Sequence, residues 1–293
     1  MSVVAIIGAG DLGGALASKL AGRDRVREVR LIDKAAGVAA GKALDILQAG
    51  PVEQTATRVT AATSADDIVA ATAGASVIVI ADEVGPPVTE IQGEGGLALV
   101  RRLRAQASAR ASAQPPIVCA GASQAWLVAH AAAELAIPAG QIVGSAPLAL
   151  VSALRALIAL ELNGSAQDVS VTLAGQPPQT IVVPWQTATA HGESLERLLD
   201  TPALRRVESR LRYLWPPGPY ALASAAARMV EGLLAGTRRT LCGFVAEPAR
   251  DGSPRAPAQP VRIEAAPGSR WQVRAADLPA LSPQQRVTLD AVR

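Results

Sequence analysis

The 293-residue chain predicts an α/β protein: a doubly wound parallel sheet followed by a smaller mixed α/β domain. Three observations predict it. Short Val- and Ile-rich runs alternate with stretches of helical periodicity through the first half. Hydrophobic residues make up 49% of the chain against 18% charged, enough to fill a core. Past residue 145 the alternation gives way to an apolar helix, antiparallel strand signals and Pro-rich loops.

Each element has its own signal. "VVAIIG" (3–8) is a buried strand, and "GGALASKLAG" (13–22) a helix that stops at Gly22. "EVRLID" (28–33) is a second strand, and "AAGKALDILQAGP" (39–51) a helix ended by Gly50-Pro51. Strands follow at "RVTAAT" (58–63) and "SVIVIA" (76–81). "GGLALVRRLRAQASA" (95–109) is a helix with one apolar side. "PIVCAG" (116–121) is a fifth strand, "QAWLVAHAAAEL" (124–135) a helix and "QIVGSA" (141–146) a sixth strand. This organisation places one domain at 1–145 and a second at 146–293.

The second domain opens on the apolar helix "ALVSALRALIALEL" (149–162) and the strand "DVSVTLAG" (168–175). Residues 195–235 read as helices broken by "WPPGP" (215–219). "TRRTLCGFVA" (237–246) and "QPVRIEAA" (259–266) read as antiparallel strands flanking a Pro-rich loop. "SPQQRVTLDAV" (282–292) is a closing helix with Ser282 as N-cap and Pro283 at its first position.

Composition narrows the function classes. One Phe, two Tyr and four Trp leave few rings to stack bases, and the net charge is only +3. The "RRLR" run (101–104) is short and reads as an exposed helix face, so no nucleic-acid partner is expected. Basic residues are almost all Arg, since Lys19, Lys34 and Lys42 are the only lysines. Cys119 and Cys242 each lie in an apolar run, which suits buried thiols in a reducing cytoplasm. "MSVVAIIGAG" reads as a strand and not as a signal peptide. No apolar run approaches about 18 residues, the length that spans a membrane. A cytoplasmic protein with no membrane partner and no metal site is expected.

Chemistry first shows in "IIGAGDLGG". Gly8-Ala9-Gly10-Asp11-Leu12-Gly13 is a G-x-G-x-x-G that follows a strand and opens a helix. Asp33 ends the next strand about 20 residues further on, completing a Rossmann dinucleotide fingerprint. Gly8 permits the tight turn, Gly10 lets the backbone approach a pyrophosphate, and Gly13 allows close helix–strand packing. The N–H groups of the first helical turn, at Asp11 and Leu12, then face the phosphates. Asp33 suits the adenosine ribose and repels a 2′-phosphate, so the expected cofactor is NAD. Ala81 and Gly121, which end the fourth and fifth strands, complete the expected cofactor contacts. The competing reading is a turn of this shape that binds nothing.

The chain resembles the NAD-dependent malate/lactate dehydrogenase family, nearest its malate dehydrogenases. The likeness runs through "VAIIGAGDLGGALASKL", "VRLIDKAAGVAAGKALDILQAGPVE", "PAGQIVGSAPLALVSALRALIALELN" and "PYALASAAARMVEGLL". It covers most of the chain and is most specific over residues 3–53. The resemblance implies a Rossmann domain, then a mixed α/β substrate domain. It also implies a homo-oligomer, dimer or tetramer, assembled partly through the helix of "GKALDI".

The resemblance further implies a catalytic set, and this chain departs from it throughout. Where the family has its proton-accepting histidine, the chain reads "LAGQPPQT", with Gln176 or Pro177 at that place. Leu150 and Ala153 take the positions of the orienting aspartate and the carboxylate-binding arginine. Ala122 replaces the substrate-contacting asparagine. The stretch matched to the mobile loop (82–100) carries no Arg or Lys. Without a cation a carboxylate substrate loses its charge-assisted bidentate contacts. Without the histidine, general-base catalysis worth roughly 10²–10⁴-fold is lost. Asp82 and Glu83 stand where the family places small residues against the cofactor. Facing a phosphate at ~4 Å they would cost about 4 kcal/mol at an effective dielectric near 20; a solvated acidic turn is the alternative.

Four other residues invite a role. His191, in "ATAHGES", looks like a catalytic histidine beside an acid, but it lies beyond the strand end that carries the family's base. Its expected place is a surface turn before a helix that starts near Glu193 or Ser194. His130 is expected to be a partly exposed helix residue and Tyr220 a core residue. Arg155, matching the family's next arginine, either binds an anion at a subunit contact or pairs with a buried acid. Two main functions compete: a non-catalytic NAD-binding subunit, or an NAD-dependent oxidoreductase on a less anionic substrate. In the second, the proton carrier would be His191, Glu193, Asp82, Glu83 or Tyr220. A structural subunit with an empty nucleotide cleft follows if Asp82 and Glu83 face inward.

Overall fold

The computed structural model describes residues 2–62, 68–81, 90–107, 114–247, 253–266 and 269–291. Six parallel strands form the first part of the main sheet: β1 (Val3–Ile7), β2 (Glu28–Ile32), β3 (Arg58–Ala62), β4 (Val77–Ile80), β5 (Ile117–Cys119) and β6 (Ile142–Gly144). Their order across the sheet is β3-β2-β1-β4-β5-β6, the doubly wound arrangement with a crevice where the order reverses beside β1. Helices α1 (Asp11–Gly22), α2 (Ala36–Glu53), α3 (Ile68–Thr72), α4 (Glu90–Ala107) and α5 (Ala125–Glu134) are the crossovers. Strands buried on both faces read as unbroken apolar runs, and β4 is buried at every position.

Register fixes what comes next. Ile7 pairs with Ile32 on one side and Ile80 on the other, Ile80 with Cys119, and Cys119 with Gly144. The chain therefore leaves all these strands at one level, and the residues just beyond them share one edge of the sheet.

The same sheet runs on into the second half. After α6 (Ala146–Leu162) come β7 (Val169–Ser170), β8 (Ala174–Gln176), β9 (Thr180–Val182), β10 (Thr189–Ala190) and β11 (Glu193–Ser194). The short α7 (Leu195–Leu198), α8 (Thr201–Arg212) and α9 (Pro219–Ala235) follow, then β12 (Thr240–Phe244), β13 (Ala258–Ala266), β14 (Ser269–Ala275) and α10 (Pro283–Asp290). β12 joins β6 antiparallel at Phe244–Gly144, and β13, β8 and β9 extend the sheet from there. β11, β10 and β7 form a separate small sheet. One apolar cluster spans both halves, with α9 buried against α1 and α6. With aromatics scarce, Ala, Val, Leu and Ile fill it, around the single Phe244 and the edge-on ring of Trp215. Among the described residues, no helix is long and apolar enough to cross a membrane.

Three expectations are corrected. α2 does not stop at Gly50-Pro51; it runs through Pro51 to Glu53. Proline in the last turn removes a single donor, and the helix ends where Gln54 turns left-handed at φ 56° and donates to Gly50 O. The strand expected at 168–175 is two strands in two sheets, because β7 pairs with β10 while β8 pairs with β9 and β13. β9, β10, β11 and α3, each five residues or fewer, leave no periodicity to read, and β14 was likewise not anticipated.

Candidate functional site

The glycine turn forms where β1 hands over to α1. Gly8 lies at φ +100°, and a Cβ there would sit 2.4 Å from Ala81 O. A Cβ on Gly13 would sit 1.8 Å from Gly8 O. Gly8 is thus packed against the end of β4 and Gly13 against the turn itself. Gly10 is the N-cap of α1 and no side chain caps the helix. Its first N–H groups, from Asp11 onward, are unpaired within the helix and carry the positive end of the dipole. Leu12 contributes backbone alone, since its side chain is buried.

Asp33 closes the turn from β2. Ala9 N–H donates to Asp33 Oδ2 at 2.6 Å, and Ala35 N–H donates to Oδ1 at 2.8 Å. A carboxylate has about four acceptor positions, so both oxygens can still take a ribose hydroxyl. Ala81 enters from β4, its N–H donating to Ile7 O at 2.8 Å. Gly121 lies one strand further on, just past β5, and its N–H already donates to Gln124 Oε1 at 2.9 Å. The structure therefore assembles Gly8, Gly10, Asp11, Leu12, Gly13, Asp33 and Ala81 around one turn, with Gly121 on the same sheet edge. Asp82 and Glu83 lie outside the described residues.

Two participants were missed in the sequence. Lys42 crosses from α2 and donates from Nζ to Gly10 O at 2.7 Å, 3.8 Å from Asp11 Oδ1. Gln124 is buried beneath Gly121. No local motif marks either; only the packing of α1 on α2 and the turn after β5 bring them in.

The positions matched to the family's catalytic set fall on α6, at the end of β8 and just past β5. Leu150 on α6 is fully buried, and Ala153 is half-buried. Arg155, the one basic residue of α6, reaches backbone carbonyls within its own chain. Its Nε and Nη2 donate to Ala166 O at 2.9 Å and Gln167 O at 3.1 Å, tying the helix to the following loop. Gln176 ends β8 half-buried, ahead of Pro177. Ala122 is half-buried beyond β5.

His191 sits at the tip of the β10–β11 hairpin at φ 51°, followed by Gly192 at φ 84°. Two left-handed residues in a two-residue loop are what a tight hairpin requires. Its Nδ1 lies 3.6 Å from Asp168 Oδ2, with both side chains substantially exposed. Ser194 then stands at the N-cap position of α7 without a side-chain hydrogen bond to the helix, so the expected turn before a helix is present but the side-chain cap is not. The histidine belongs to the small sheet and the end of β8 to the large one. His130, half-buried on α5, stacks on Trp126 with ring centroids 3.8 Å apart. Tyr220 is not a core residue: it opens α9 at 78% exposure, because the buried stripe of that helix starts at Leu222. Burial pushes the Cys242 thiol up to about 12, keeping it protonated and inert. Among the described residues no cluster of three or more His, Cys, Asp or Glu is placed to hold a metal ion. A cavity of about 440 Å³ lies between β9, α8 and α10, away from the glycine turn; Arg205, Glu208 and Arg212 line it.

No family model matches the chain. A malate dehydrogenase from Thermomicrobium roseum is 31% identical over 252 residues, 81% of this chain and 79% of that protein. The malate dehydrogenase of Aeropyrum pernix shares the fold with a TM-score of 0.83 at 19% identity, covering 99% of this chain and 96% of that one. A Cryptosporidium parvum lactate dehydrogenase, solved with lactic acid and nicotinamide adenine dinucleotide, aligns with a TM-score of 0.80 at 19% identity, covering 99% of this chain and 94% of that one.

Proposed function

The chain belongs to the malate/lactate dehydrogenase family, and from that premise we propose that it is an NAD-binding member without malate or lactate turnover, acting as a binding or regulatory subunit. The glycine turn fits the cofactor. The uncapped N–H groups from Gly10 to Gly13 would hold the pyrophosphate, and Asp33, with acceptor positions to spare, would hold the adenosine ribose. Bound NAD supplies a hydride acceptor; the chain must supply the proton acceptor and the substrate clamp.

The observation that carries the reading is α6. The matched clamp positions are Leu150 and Ala153, and the helix's one basic residue, Arg155, directs its Nε and Nη2 to backbone carbonyls of the following loop. Neither Gln176 nor Pro177, one of which takes the matched base position, can accept and release a proton near neutral pH. With neither cation nor base, the differential stabilisation of the transition state is lost.

A second reading, an oxidoreductase on the CH–OH group of a less anionic substrate, draws on His191. Its 3.6 Å approach to Asp168 is a histidine–carboxylate pair able to move a proton. We also propose a homo-oligomer. Only Ala39 and Ala43 are buried on α2, while Val38, Leu44 and Leu47 on the same helix stand 44%, 57% and 43% exposed.

The test is a titration with NADH followed by tryptophan quenching, then a screen of 2-hydroxy and 2-oxo acids. Saturable NADH binding with no hydride transfer is expected. Robust turnover of malate or lactate overturns the non-catalytic reading, and absence of NADH binding overturns the cofactor assignment.

A further inference from the structure

One side chain reaches the glycine turn from a helix outside the fingerprint. Lys42 Nζ donates to Gly10 O at 2.7 Å and stands 3.8 Å from Asp11 Oδ1. Gly14 makes the room for it: a Cβ there would lie 2.9 Å from Lys42 Cδ. Asp11 itself is 96% exposed. An ion pair this open adds little to folding, so stability does not explain it. Its carboxylate occupies the first helical position of α1, where the helix dipole favours an anion. A pyrophosphate would come to that same place.

We propose that Lys42 is a cofactor-positioning residue whose ammonium exchanges the Asp11 carboxylate for the pyrophosphate, with Asp11 as a built-in competitor for both lysine and helix terminus. The inference rests on the NAD-binding reading above. Its physical content is charge balance. Backbone N–H groups offer only partial charges, whereas a lysine supplies a compact full charge to a phosphate. The bond to Gly10 O already parks the ammonium at the turn, so the exchange needs side-chain rotation and no backbone movement. Before the cofactor binds, Asp11 and Lys42 balance one another's charge. On binding, the cofactor displaces the carboxylate, which swings into water.

The experiment measures dissociation constants for NADH and ADP-ribose with the wild-type chain and Lys42→Met, Lys42→Arg and Asp11→Asn, at low salt and at 0.5 M NaCl. Lys42→Met is expected to weaken both ligands about tenfold at low salt. Lys42→Arg is expected to stay within about threefold of wild type, and Asp11→Asn to bind several-fold more tightly. The differences should shrink at high salt as the charges are screened. Wild-type-like affinity of Lys42→Met, or weaker binding by Asp11→Asn, overturns the inference while leaving the cofactor assignment standing. A wild-type chain that binds neither ligand overturns that assignment itself. Should Lys42→Met fail to fold, Asp11→Asn alone decides the matter.

Discussion

Gly13 leaves no room for a side chain. Any side chain there meets the Gly8 carbonyl, which belongs to backbone and cannot rotate away. Gly13→Ala is expected to destabilise the fold by about 1–3 kcal/mol or more and to abolish NADH binding, read by urea denaturation and NADH titration. Glu28 makes a second prediction at this scale. The Arg30 guanidinium, hydrogen-bonded at 2.7 Å, holds its carboxyl below the usual carboxylate range, against the opposing effect of burial. A lowered folded value means stability that is complete above the ordinary value of 4.5 and lost as pH falls through the folded one. Glu28→Gln should therefore lose less stability than wild type when acid titrations are compared below about pH 4.5. Single residues are also where sequence reasoning falls short: Tyr220, expected in the core, is 78% exposed. The Nε and Nη2 of Arg155 donate to two carbonyls 11 and 12 residues along the chain, contacts no pattern advertises.

Elements were more legible. α10 begins with a complete capping box: Ser282 accepts from Gln285 N–H, and the Gln285 side chain accepts from Ser282 N–H. The Ser-Pro start had announced it. Ser282→Ala should cost about 1 kcal/mol, measured by chemical denaturation. α2 carries the other prediction. Its Leu44 and Leu47 are exposed in one chain, and the proposed oligomer would cover them. Leu44→Glu and Leu47→Glu are expected to shift the chain to monomer in sedimentation while leaving its circular dichroism unchanged. Strands of the first half were readable because burial on both faces leaves long apolar runs. Those of the small sheet were not, since two-residue strands such as β10 and β11 exist only through pairing.

At the scale of the whole molecule, α1 of the first half packs against α9 of the second, and Glu231 locks the joint. It is buried on α9, with Arg23 at 3.0 Å and Arg25 and Arg228 each at 3.8 Å. Removing a buried charge from such a cluster strands its partners, but these arginines keep contact with water. Glu231→Ala should therefore cost about 2 kcal/mol, less than the ~3–5 kcal/mol of a fully buried pair, visible in urea denaturation. The sequence by itself determined the parallel sheet, its crossovers, the glycine turn and the acid at the end of β2. These follow from local periodicity and from glycines whose backbone geometry admits little else. Only the tertiary structure decided which residues meet across elements: Lys42 over Gly10, Glu231 among three arginines, Arg155 on its loop, and one sheet continuing from β6 into β12. Those meetings depend on how α1, α2, α6 and α9 pack in three dimensions, and spacing along a chain carries no trace of a contact between helices that are distant in it.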